Sequence, residues 1–113
     1  MKKLVLLLVA ATGGYLHQGN NEQVIRISAS TFKFKPNEIT VRKGVPVVLE
    51  LTSQDRHHGF KLSAFGLRVD IKPGFVEKVR FTPEKTGTFA FFCDIFCGDG
   101  HEDMSGTIKV VEQ

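Results

Sequence analysis

The sequence is short of most things that would mark an enzyme, a fibre or a nucleic-acid binder. No segment of its 113 residues recurs at a fixed period, which excludes repeat arrays and collagen-like chains. Charge of one sign is scarce: the formal balance is +3, and Lys2 and Lys3 supply two of those charges from a segment read below as removable, leaving +1. That is no nucleic-acid footprint. There is no nucleophile beside an activating base, no pair of carboxylates at a cleft and no phosphate-cradling glycine loop, so the protein is not expected to be an enzyme. What is present is 42% apolar residues with ten phenylalanines, and Val, Ile and Leu along the whole length, which excludes disorder. The length suits one domain with a core of its own.

The first residues stand apart. Met1 to Lys3 is a basic start, Leu4 to Ala11 a short apolar run, and Thr12, Gly13 and Gly14 are small residues behind it. The pattern reads as an export signal over residues 1–14, or as a short N-terminal anchor that would tether the chain to a membrane. The run falls far short of the ~20 residues a spanning helix needs. No cysteine follows it, so a lipid-anchored lipoprotein is not expected. Residues 15–22 lack periodicity and read as a flexible lead, and residues 23–113 as the folded domain. Export places that domain in a periplasmic or other extracytoplasmic compartment, where paired cysteines often oxidise.

From Gln23 onward the apolar pattern has period two: Phe32 and Phe34, Ile39 and Val41, Val47, Leu49 and Leu51, Phe60 and Leu62, Val69 and Ile71, Val79 and Phe81, Phe89 and Phe91, Ile108 and Val110. Turn residues punctuate it at Lys35-Pro36-Asn37, Lys43-Gly44, Ser53-Gln54-Asp55, Lys72-Pro73-Gly74, 83–87 and Gly98-Asp99-Gly100. Seven or eight short strands predict an all-β antiparallel sandwich.

Apart from Met1, every sulfur lies in one window, Cys93 to Met104, together with His101. Spacings of four, four and three would also suit one face of a helix. Gly98 and Gly100 oppose that, as do β-type flanks at Thr88 to Phe92 and Thr107 to Val110, so the window reads as a loop between strands. Two thiols, an imidazole and a thioether form a soft donor set. Structural zinc sites seldom use a thioether, so Met104 tilts the choice toward copper, against the alternative that Met104 is core. One thiolate would complete a mononuclear copper site. Two thiolates four residues apart can each bridge a pair of copper ions, with one imidazole capping each metal.

The second imidazole must come from elsewhere, and Asp55-Arg56-His57-His58-Gly59-Phe60 offers two. His58 shares the face of Phe60 and Leu62 and is expected to point inward, while His57 shares the face of Lys61. A bulge before Gly59 would exchange them.

These residues resemble a known family. The loop Cys93-x3-Cys97-x3-His101-x2-Met104, with Asp55-x2-His58-Gly59-Phe60 upstream, is similar to the dinuclear CuA centre of cytochrome c oxidase subunit II and nitrous oxide reductase. Phe34-x-Pro36-x2-Ile39-x-Val41-x2-Gly44 resembles the early strands of cupredoxins. The resemblance implies a Greek-key cupredoxin sandwich holding two copper ions. Cys93 and Cys97 would bridge them, His58 and His101 would be terminal ligands, and the Met104 thioether and the Ile95 carbonyl would be weak axial donors. Neither the transmembrane hairpin of subunit II nor the propeller of the reductase is evident, which suggests a free-standing domain. The absence of tryptophan leaves no counterpart to an indole electron entry point.

The expected activity is one-electron transfer as a monomer, with a redox protein such as a c-type cytochrome or a terminal oxidase or reductase as partner. Shared sulfurs would keep rearrangement small, and Phe60, Phe92 and Phe96 would pack around them. Asp94, Asp99, Glu102 and Asp103, in a window without Lys or Arg, would form a negative rim that steers a basic partner. Two alternatives stand beside this: a copper carrier serving oxidase assembly with the same residues, and a Cys93–Cys97 disulfide, which would leave His101 and Met104 unexplained.

Overall fold

The computed structural model describes residues 22–95 and 104–113. The expectations for residues 1–21 therefore lie outside the described residues, and no helix among those described is long and apolar enough to cross a membrane.

The described residues form strands β1 (Gln23–Ser30), β2 (Lys33–Lys35), β3 (Glu38–Arg42), β4 (Val47–Ser53), β5 (His58–Leu62), β6 (Leu67–Ile71), β7 (Glu77–Phe81), β8 (Gly87–Phe92) and β9 (Ser105–Val111), with one 3-10 turn at Ser63–Phe65; β1 holds none of the apolar pairs named above, and Phe32 falls in the turn between β1 and β2. They assemble into a sheet of order β2-β1-β4-β7 and a second of order β3-β9-β8-β5-β6. The sandwich is all-β as expected, but both sheets are mixed. β1 runs parallel to β4 and β3 parallel to β9. Alternation along a strand reports which face is buried and carries no information about the direction of its neighbour.

The inner faces meet in one core, which includes Ile27, Leu49, Leu51, Phe60, Leu62, Ile71, Phe91 and Ile108, each almost completely buried. Phe34, Phe60 and Phe91 stack at its centre, with ring centroids 5.0–5.9 Å apart. Gly106 admits a close approach there. A Cβ at this position would lie 2.4 Å from Phe91 Cζ and 2.5 Å from the Asn37 carbonyl oxygen. Phe92 does not join the core as expected. It falls on the outer face with Ala90 and is 37% exposed.

Strand directions decide where the chemistry gathers. β4 ends, β5 begins, β8 ends and β9 begins at one edge of the sandwich, as the pairs Leu51↔Glu77, His58↔Ile71 and Phe92↔Ser105 require. The β1–β2 and β6–β7 turns lie at that edge too. They carry Phe32, Phe75 and Val76, which are 39%, 63% and 57% exposed.

Candidate metal centre

His58 opens β5, and the register His58↔Ile71, Gly59↔Asp70, Phe60↔Val69 is unbroken, with no bulge before Gly59. His58 is therefore fully buried, whereas the His57 side chain is 46% exposed and faces Asp70 Oδ1 at 3.3 Å. His58 Nε2 lies 2.8 Å from Asp55 Oδ1. Asp55 also accepts hydrogen bonds from the Thr31 N–H at 2.8 Å, the Thr31 hydroxyl at 2.6 Å and the Arg56 N–H at 2.7 Å. Burial opposes ionisation of Asp55. The Thr31 hydroxyl, His58 and the two N–H groups outweigh it and hold the carboxyl well below the usual carboxylate range.

An ionised carboxylate only accepts, so Nε2 is the donor, and in the neutral ring Nδ1 keeps its lone pair. His58 Nδ1 is buried and has no hydrogen-bond partner among the described residues. Leaving such an acceptor unsatisfied costs about 1–3 kcal/mol, a cost that a bound metal ion would offset.

Cys93 and Met104 bound the soft-donor window. The Cys93 N–H donates to the Met104 carbonyl at 3.0 Å, and both side chains belong to the core cluster, 5% and 0% exposed. The Cys93 Sγ accepts from the Gly59 N–H at 3.4 Å, which brings the sulfur against the residue following His58. It also contacts the carbonyl oxygen of half-buried Ile95 at 3.4 Å. His58, Cys93, Ile95 and Met104 are thus gathered at one edge of the core. Cys97 and His101, with Asp99, Glu102, Asp103 and Phe96, lie outside the described residues. Among the described residues no three His, Cys, Asp or Glu side chains converge as a metal-holding group. The donor types that these residues carry, an imidazole nitrogen, a thiol and a thioether, all buried, fit a soft metal such as copper.

Asp94 has a partner that its own window does not supply. Arg68 of β6 grips it with both arms, Nε to Oδ2 and Nη2 to Oδ1, each 2.8 Å. The guanidinium also bonds Asp70 through Nη1, so its pKa is pushed further above the usual value. The hydrogen bonds from Arg68 hold both carboxyls below their ordinary range. Side chains 36% and 21% exposed make this a partly screened pair, and such pairs contribute about 0–1 kcal/mol. Its importance is geometric. Sequence reasoning left Asp55, Thr31 and Arg68 without roles: Asp55 reads as turn chemistry, and nothing in the order of residues brings 31 to 55 or 68 to 94.

Comparison with known proteins identifies the family of the fold. Residues 3–110 match the cupredoxin-like domain. The chain is 37% identical over 94 residues to a cytochrome c oxidase subunit 2 of Thermus thermophilus, covering 83% of this chain and 70% of that protein. Against a second, longer subunit 2 from the same species the identity is again 37%, and the chain spans 56% of that protein. Nitrous-oxide reductase of Pseudomonas fluorescens is 28% identical over 99 residues, covering 84% of this chain and 15% of that protein. Among solved structures, the periplasmic domain of cytochrome oxidase subunit II of Bradyrhizobium japonicum superposes with a TM-score of 0.74 at 26% identity, covering 80% of this chain and 84% of the other. A cupredoxin-like sandwich, a buried histidine and cysteine at one edge, and this extent of identity place the chain in the cupredoxin-like domain family, as a relative of cytochrome c oxidase subunit 2.

Proposed function

We propose that the chain is an exported copper protein of the CuA type, a domain that passes single electrons between a donor such as a c-type cytochrome and an oxidase or reductase. The observation that carries the reading is the buried His58 imidazole, its Nε2 held by Asp55 and its Nδ1 without a hydrogen-bond partner among the described residues, with the Cys93 sulfur against the N–H of the next residue, Gly59. In this reading His58, Cys93, Cys97, His101 and Met104 supply side-chain donors to two copper ions, and Ile95 supplies its carbonyl. The metal pair would supply a one-electron redox couple shared through the two sulfurs.

The chain's own residues prepare for that couple. Asp55 fixes the ring orientation and tautomer of His58, so the ligand nitrogen need not turn or lose a proton when metal arrives. Phe60, Phe91 and Phe34 exclude water from the wall below. The backbone bond between Cys93 and Met104 fixes the loop ends, which favours a ligand geometry that changes little between oxidation states. Exposed Phe32, Phe75 and Val76 at the same edge offer apolar area to a docking partner.

Copper reconstitution of the reduced protein tests the proposal. Two coppers per chain, with a hyperfine pattern richer than one copper nucleus can give, are expected. Cys97→Ser should reduce this to at most a mononuclear signal. One metal ion per chain, or a shared-electron spectrum that survives in Cys97→Ser, would contradict it.

A further inference from the structure

β5 carries the buried imidazole and β8 runs into Cys93, yet their backbone ladder among the described residues is a single pair, Lys61↔Phe92. Nearer the site, the Gly59 N–H reaches across this junction to a side-chain atom, the Cys93 sulfur, at 3.4 Å. The two strands are therefore thinly joined at the place where their donors must meet.

A side-chain pair spans that junction. Arg68 lies on β6, on the far side of β5 from Asp94, and pairs in register with Lys61. With strands about 4.8 Å apart, its guanidinium must cross roughly 10 Å, over the strand between. The crossing requires a bare position on β5, and Gly59 provides it. A Cβ at residue 59 would stand 2.1 Å from Asp94 Oδ1 and 3.0 Å from Arg68 Nη2. Asp70 braces the guanidinium from its own strand, and His57 braces Asp70.

We propose that the Arg68–Asp94 pair, seated over Gly59, is a latch that positions the Cys93 sulfur, which makes Arg68 a positioning residue for the metal centre. The proposal rests on the copper reading given above. The forked contact matters as much as the charge: a lysine ammonium is a point donor and cannot grip both carboxylate oxygens in the plane that arginine imposes. Because the pair is partly exposed, its loss should move the sulfur without melting the sandwich.

The test uses the full chain in the Cys97→Ser background, reduced and metal-free, where Cys93 is the sole thiol. The rate of Cys93 alkylation by iodoacetamide is measured for Arg68→Gln, Arg68→Lys, Asp94→Asn and the Arg68→Gln/Asp94→Asn double variant, with the melting temperature of each. A latch predicts severalfold faster alkylation in all four, no further gain in the double variant, and melting temperatures within a few degrees of the parent. Electrostatics alone would move Arg68→Gln and Asp94→Asn in opposite directions, because one removes a cation and the other an anion from the neighbourhood of the sulfur. In copper-loaded protein with both cysteines, the same variants should release metal to a chelator roughly 10-fold faster or more. Unchanged alkylation, opposite shifts, or additive effects in the double variant overturn the latch. A parent protein that binds no copper refutes the functional reading instead, and the alkylation rates then decide the latch alone.

Discussion

Asp55 and His58 stand three residues apart across the turn from β4 to β5, and the carboxylate of one meets Nε2 of the other at 2.8 Å. The turn is drawn together by the Ser53 hydroxyl, which donates to the Arg56 carbonyl, and Asp55 is itself tied to the β1–β2 turn through Thr31. The orientation of the buried ring thus depends on a residue from the opposite sheet. Replacing the carboxylate by an amide, Asp55→Asn, keeps the shape and removes the strong acceptor. Copper affinity should fall roughly 10- to 100-fold, read by competition with a chelator. Thr31→Val should give a smaller loss in the same direction, which Thr31→Ser restores.

The same carboxylate gives a pH signature. Its pKa is depressed by folding, so its stabilisation is complete above the unfolded value, about 3.9, and disappears as pH falls through the lower folded value. The gap in melting temperature between wild type and Asp55→Asn should be full at pH 6 and shrink progressively as pH falls below about 4. A gap that stays constant down to pH 2 would count against the bonds assigned to Asp55.

The aromatic centre sets much of the stability. Phe60→Ala empties a site enclosed by Phe34 and Phe91 and should cost about 3–5 kcal/mol in urea unfolding. Phe60→Leu, which keeps much of the volume, should cost less.

Gly106→Ala makes the opposite error. The added methyl would meet the Phe91 ring at 2.4 Å and the Asn37 carbonyl at 2.5 Å, and overpacking of this kind costs about 1–3 kcal/mol. A shift of the urea midpoint with unchanged slope would report it; no shift would mean the ring gives way freely.

Steering of a basic partner by the acidic residues of the soft-donor window, proposed from their charge, can be read from kinetics. The association rate with a basic c-type cytochrome should fall steeply as salt shortens the screening length below about 10 Å, and Glu102→Gln or Asp103→Asn should slow it at low salt. A rate independent of ionic strength removes the steering role.

Much of the sandwich was legible because alternating apolar residues leave a period-two trace in most strands, as in β3 and β8, and the same parity separates His58 from His57. The soft-donor window was legible because Cys93, Cys97, His101 and Met104 stand close in the chain. Parallel pairing of β1 with β4 left no such trace. The roles of Thr31, Asp55 and Arg68 depend on contacts across 24 and 26 residues of sequence, and such contacts exist only after the strands have found their neighbours.

The missing methyl at residue 59 makes positions 59, 68 and 94 a single unit of mutational change. Any side chain introduced at 59 evicts the carboxylate above it and strands the guanidinium that reached across. A lineage can therefore leave this arrangement most readily by giving up the ion pair first and filling the glycine afterwards, and the reverse order passes through a clash.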